Sequence, residues 1–302
     1  MSTTPPIAEV LLIDADPERR QALAVLLNGY CRCQAVADIA QLPQAGASAA
    51  ILVASTDEQR TSHDFETLLK VWPTERLAIL SARSLDPQLD QLFSVGARQF
   101  LSGAATRLDR ELGWQIRALL TTTPGVSLEQ LFGPMSEARV VLVRDRWERQ
   151  DAVEQAVAFF ADAQFPDAVV DIRLALDEML NNALYHSFRD DEGHEKYTAE
   201  TFDTLEGDDV VSLQIARNPD YNLVSVSDTS GSLRAETVTQ NLARHLTMKG
   251  LLDEHGRGFF LMRSISDGML VRIQPGIRTE VTLVFGRHSN AMAKSLLVKY
   301  LE

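Results

Sequence analysis

The chain has 302 residues, 45% of them hydrophobic and 24% charged, with a formal net charge of −13. This length suits two domains, each large enough to bury its own core. The acidic balance excludes a nucleic-acid binder held by phosphate contacts, which needs clustered Lys and Arg. No apolar run approaches the eighteen or so residues of a membrane-spanning helix. Met1–Pro6 lacks a basic leader, and Ile7–Ile13 is too short for a signal core. Cys31 and Cys33 are the only cysteines; a Cys-x-Cys disulfide is strained, and isolated thiols suit a reducing compartment. A cytoplasmic protein with no membrane and no direct nucleic-acid partner is expected.

From the N-terminus, short apolar runs alternate with helical segments, which predicts an open parallel α/β sheet. Strands are predicted near Glu9–Ile13, Cys31–Val36, Ala49–Val53, Leu77–Leu80 and Gln99–Leu101, and helices near Pro17–Leu27, Glu58–Val71, Asp86–Val95 and Thr106–Leu120. Pro17 suits the first turn of its helix, where its missing N–H would be unpaired anyway. Asp14 and Asp16 read as a turn and a helix cap before Pro17.

Val10–Leu23, Leu77–Ser84 and Ser94–Leu101, in this order, resemble a response-regulator receiver, a flavodoxin-like (βα)5 fold. The resemblance places an acidic pair after the first strand, a phosphoacceptor Asp after the third, a Ser or Thr after the fourth and a Lys after the fifth. Here the pair reads Asp14-Ala15, Ala54-Ser55-Thr56 follows the third strand, Ser81 fits the switch position, and the lysine position falls near Gly103. Residues 1–122 are therefore read as a pseudo-receiver with no site for aspartyl phosphorylation. The resemblance also implies a homodimer, or partner docking, through Asp86–Leu120.

Thr121-Thr122-Thr123-Pro124-Gly125 is the clearest break in the chain. It sets domains at 1–122 and 137–302 with a linker at 123–136, where Val126–Pro134 connects or packs at the interface. In the second domain, Arg139–Val143 reads as a strand and Arg149–Ala163 as a helix. Leu174–Phe188 forms a further helix, with Leu174, Leu176, Met179, Leu180, Ala183 and Leu184 on roughly one apolar face. Glu178 and Asn182 lie four apart, one above the other. A carboxylate there can act as a base and an amide oxygen can ligate Mg²⁺; an amphipathic helix with a polar edge accounts for the same pattern. The acidic Arg189–Asp209 stretch reads as a loop or partly ordered insertion. His186, with Glu192, His194 and Glu195 of this stretch, matches no standard metal-ligand spacing. Two hairpins follow, Val210–Arg217 with Leu223–Ser227, and Met269–Gln274 with Thr279–Gly286. The tail from Ser289 to Leu301 is predicted helical.

The helix motif, then Asp228-Thr229-Ser230-Gly231-Ser232, then Gly256-Arg257-Gly258 opening an apolar segment, resemble in order the N, G1 and G2 boxes of the GHKL (Bergerat-fold) ATPases. The nearest likeness is the branch of anti-sigma-factor serine kinases, carried by Asn182–Phe188 and Gly256–Asp267. It covers roughly Glu137–Phe285 and implies a Bergerat-type α/β sandwich, so that the whole reads α/β then α+β.

By this resemblance Glu178 is the catalytic base, Asn182 holds Mg²⁺, Asp228 accepts the adenine amino group, and Gly231, Gly256 and Gly258 belong to the ATP-binding loops. Asp228 reads equally as a turn cap ahead of Ser230-Gly231. Arg234–His255 spans the position of the family's mobile lid. In G1, Ser230 and Ser232 stand at the usual glycine positions; a side chain there restricts close backbone approach. None of the six histidines lies between Leu101 and Tyr185, which excludes a sensor histidine kinase with its phosphoacceptor ahead of the ATP module.

The implied function is an ATP- and Mg²⁺-dependent serine/threonine protein kinase and anti-sigma factor in a partner-switching pathway. Its partners would be a small STAS-like antagonist and a sigma factor or other regulator. The alternative is a non-catalytic binding module on a degenerate ATPase fold.

Overall fold

The first strand, β1 (Glu9–Ile13), is an apolar run buried along nearly its whole length, as a central strand covered on both faces must be. The computed structural model describes residues 9–42, 49–54, 58–81, 85, 88–102, 108–161, 166–246, 257–286 and 294–301. Around β1 lie β2 (Arg32–Val36), β3 (Ala49–Ala54), β4 (Leu77–Ser81) and β5 (Gln99–Ser102), all parallel in the order β2-β1-β3-β4-β5. That is the doubly wound order of flavodoxin-like sheets. Alternate residues of each strand face opposite layers. Leu23 and Leu27 of α1 (Pro17–Leu27) and Leu112 and Ile116 of α4 (Leu108–Leu120) fill one side. Phe65 and Leu68 of α2 (Glu58–Leu69) and Leu89 and Leu92 of α3 (Leu89–Ser94) fill the other. The predicted elements recur here with small shifts at their ends.

Asp16 caps α1, accepting from the amides of Glu18 and Arg19 at 3.0 Å each. Asp14, almost fully buried, is gripped by Arg19, whose Nε and Nη2 donate to its two oxygens at 2.6 and 2.7 Å. This bidentate pair uses both oxygens of the carboxylate that follows β1. Ala54 ends β3 one residue beyond the Ile13–Val53 register pair, so it lies beside Asp14. Residues 55–57 and Gly103 lie outside the described residues.

The connector folds as α5 (Leu128–Phe132), started by a capping box between Ser127 and Gln130. Phe132 stacks on Trp114 of α4 and meets Tyr221 edge-on, with ring centroids 4.9 and 5.9 Å apart. The second half then runs β6 (Glu137–Val143), α6 (Arg146–Phe160), α7 (Pro166–Tyr185), β7 (Val211–Arg217), β8 (Tyr221–Asp228), α8 (Ala235–Leu246), α9 (Gly258–Ile265), β9 (Gly268–Gln274), β10 (Arg278–Gly286) and β11 (Ser295–Tyr300). Helices α6 to α9 cover the same side of the sheet as α2 and α3, and α5 covers the side of α1 and α4.

The predicted helix at Ser289–Leu301 is corrected: Ser295–Tyr300 is a strand, and residues 287–293 lie outside the described residues. A buried run of six residues does not separate helix from strand by periodicity; pairing decided it. β11 runs parallel to β9 and antiparallel to β5, so among the described residues the two halves share one eleven-stranded mixed sheet, β2-β1-β3-β4-β5-β11-β9-β10-β8-β7-β6. The buried Lys299 on β11 reaches the end of α4, donating to the carbonyls of Ala118, Leu119 and Thr121.

The 189–209 segment is a loop, as expected, but not a loose one. Tyr197 and Phe202 are buried, stack edge-on with each other and with Phe188 and Tyr185, and Asp209 accepts from Tyr197 and Lys196 at 2.7 and 2.8 Å. No helix among the described residues is long and apolar enough to cross a membrane.

Candidate functional site

Helix α7 is fixed by Ile172, Ala175, Leu176, Leu180 and Leu184, all buried, whereas Leu174, expected on the same face, is exposed; each fully buried Leu or Ile contributes ~1.5–3 kcal/mol. Locking that stripe into the core turns Glu178 and Asn182, both half-buried, towards the start of α9. A Cβ on Gly258, the first residue of α9, would stand 2.8 Å from Glu178 Oε2 and 3.2 Å from Asn182 Nδ2. Glycine here is therefore a condition of the helix terminus meeting the two polar side chains. The first amides of α9 have no intrahelical acceptor, and Arg257 supplies no side-chain cap. The site thus pairs a carboxylate and an amide with a helix N-terminus, and it is the terminus that attracts anions. Gly256 lies outside the described residues.

Burial raises the Glu178 carboxyl above its usual range, and the neighbouring charge of Asp177 pushes the same way, while His186 opposes. A carboxylate shifted towards neutrality is better matched to general-base work. Beside it, Arg149 of α6 donates to Asp177 and Asn181 at 3.0 and 2.9 Å, fastening α7 to α6.

Asp228 ends β8 and is 4% exposed. Its Oδ1 accepts from the amides of Ser230 (2.9 Å) and Gly231 (3.3 Å) and from the Ser230 hydroxyl (2.5 Å). Oδ2 accepts from the Ser187 hydroxyl at 3.1 Å and retains a free lone pair in this set. Burial raises the Asp228 carboxyl, against the lowering pull of these hydrogen bonds. Gly231 has φ +58°, and a Cβ there would lie 2.3 Å from the Gln274 carbonyl oxygen and 2.5 Å from the Ile277 amide. The displaced glycine of the motif is thus required where the turn presses on the β9–β10 hairpin.

Ser187, which the sequence reading did not single out, joins the two parts of the site. Its hydroxyl also lies 3.1 Å from the Asn182 carbonyl, and its own carbonyl accepts from the Ser232 hydroxyl at 2.6 Å. A serine two residues past the end of a motif helix carries no periodic signal; its role exists only once β8 arrives. His186 meets Glu195 at 2.9 Å, and among the described residues no group of three or more His, Cys, Asp and Glu could hold a metal ion. A divalent cation at Asn182 would need further oxygen ligands from water and a bound phosphate group, which suits Mg²⁺.

With the geometry in place, the match to a family of known domains agrees with it in class. Residues 143–285 match the family described as the histidine kinase-like ATPase domain, and that match implies ATP binding. The matched span holds α6 to α9 and β7 to β10, hence every described residue named above at the site. Among solved structures, the response regulator DrrB of Thermotoga maritima, an OmpR/PhoB homologue, is similar at 12% identity, covering 67% of this chain and 100% of that chain with a TM-score of 0.33. No curated protein matches the chain. The receiver-like character of the first half rests on its own strand order and on the residues at its strand ends.

Proposed function

We propose that the protein is a signalling regulator whose ATPase domain acts as an ATP-dependent serine/threonine protein kinase and anti-sigma factor, governed by a receiver-like half that takes no phosphoryl group. The observation that carries this reading is the meeting of Glu178 and Asn182 with the N-terminus of α9 at Gly258. Asn182 would hold Mg²⁺, which when bound would neutralise charge on the phosphates. The α9 amides would orient the phosphate oxygens. Asp228 Oδ2, still able to accept a hydrogen bond, suits the amino group of adenine. Glu178, with its raised carboxyl, would take the proton of the attacking serine or threonine hydroxyl on a small antagonist protein. A sigma factor, or another regulator of similar role, would be the sequestered partner. The pseudo-receiver reading is supported by the Asp14–Arg19 pair and by Ala54 at the end of β3.

A second reading, a non-catalytic binding module, is favoured by one observation: Ser230 and Ser232 stand at the glycine positions of G1, and their hydroxyls are tied to Asp228 and to the Ser187 carbonyl. The two are separated by Glu178→Gln, assayed with labelled ATP and the small partner that co-purifies. The kinase reading expects the variant to bind ATP and to lose transfer, because an amide cannot accept the proton. Absence of transfer by the wild type, together with partner binding that ignores nucleotide, overturns the kinase reading in favour of the module.

A further inference from the structure

Helix α8 is where the two halves meet on the nucleotide side. It leaves the Asp228 turn through Ser232, whose hydroxyl holds Ser187, and it packs on α9, with His245 lying over Phe260 at 5.8 Å between ring centroids. Its other flank lies against α3 of the receiver-like half and against β11. Ala235, Val238 and Leu242 are buried in these contacts.

Two side chains fasten its first turn. Arg98, in the turn between α3 and β5, pairs with Glu236 and with Glu75, and its guanidinium lies over the Tyr300 ring, 5.9 Å from the centroid. The Tyr300 hydroxyl accepts from the Ala235 amide at 3.0 Å and lies 3.4 Å from Glu236. It therefore serves one of the amides that a helix start leaves unpaired. The Arg98 side chain is 18% exposed and that of Glu236 51%, so the pair is open to solvent on its acidic side and weakens with salt.

From this placement we infer that Arg98 and Tyr300 are positioning residues of the nucleotide site. By fixing the start of α8 they set the Asp228 turn and the α9 terminus relative to each other; Tyr300 does so from β11, and through Arg98 the receiver-like half governs nucleotide retention by contact alone. The inference rests on the nucleotide reading above, and its test keeps the two apart.

Hydrogen exchange is measured on the full chain without nucleotide, for wild type, Arg98→Met and Tyr300→Phe; the second deletes only a hydroxyl and leaves the ring packed. Amides of α8 should exchange about fivefold faster in each variant, the effect of losing one interaction worth ~1 kcal/mol, while β7 and β8 keep their protection. In wild type, α8 protection should fall with added salt, and in Arg98→Met that dependence should vanish. Unchanged α8 exchange, or a rise shared by the whole molecule, overturns the inference. Release of a fluorescent ATP analogue should be faster in both variants; faster α8 exchange with unchanged release also overturns it. If wild type fails to bind the analogue, the nucleotide reading falls and takes with it the claim on retention.

Discussion

Asp228 accepts hydrogen bonds on both oxygens, so turn cap and ligand acceptor are not competing roles for it. Oδ1 shapes the turn while Oδ2 keeps capacity for a donor. Asn in its place can still cap the turn through its own oxygen, but presents an amide where an acceptor is needed. Asp228→Asn and Asn182→Ala should therefore each weaken ATP·Mg²⁺ binding by about tenfold or more, the loss of one charge-assisted hydrogen bond at ~1.5–3 kcal/mol. Titration calorimetry checks this, and identical binding heats in wild type and both variants would sink the site assignment. At this scale part was legible: Glu178 and Asn182 share a face because helices repeat every 3.6 residues; Gly258 was expected to approach phosphates, and the structure brings it against those two side chains instead. Ser187 was not legible, because Asp228, which its hydroxyl meets, lies 41 residues further along the chain.

At the scale of elements, β11 shows why short buried runs mislead. Leu296, Leu297 and Val298 are buried, and such a run fits either a helix or a central strand. The 189–209 loop misleads in the opposite sense: its acidic composition suggests a solvated chain, yet two aromatic anchors outweigh it. Lys299 makes β11 testable. Burial and the nearby Arg272 charge lower its ammonium from 10.5 to about 7, although three carbonyls at the end of α4 receive it. With a folded value below the unfolded one, the unfolded chain binds more protons between about 7 and 10.5, so stability should rise with pH across that window. Lys299→Met should flatten the rise. Melting curves of both proteins at pH 7 to 10 decide the matter; parallel dependence on pH would contradict it.

Across the whole molecule, the continuous sheet predicts shared unfolding. Two cores, one on each side of the sheet, both run through the first and second halves, and β11 links β5 to β9. Calorimetry should therefore show one cooperative transition. Val298 donates its amide to the Arg98 carbonyl at 3.1 Å, so Val298→Pro removes a bond across the seam and inserts a residue that central strands reject. That variant should melt in two steps; a single step at a lower temperature would mean the aromatic contacts of Trp114, Phe132 and Tyr221 hold the halves together without the strand. The seam could not be read from sequence, since β5 and β11 lie nearly two hundred residues apart and neither carries a pattern naming the other.

The Asp14–Arg19 pair sets a condition on any attempt to re-engineer the first half into a responsive switch. Installing an aspartate at Ala54 would restore the missing acceptor, but the guanidinium of Arg19 would still occupy the acidic corner where a cation must sit. Activation by phosphate donors would require removing Arg19 as well, and freeing Asp14 would leave a buried, uncompensated negative charge until the metal arrived. On the pseudo-receiver reading, Arg19 of the first helix locks this half as firmly as Ala54 at the end of β3 does.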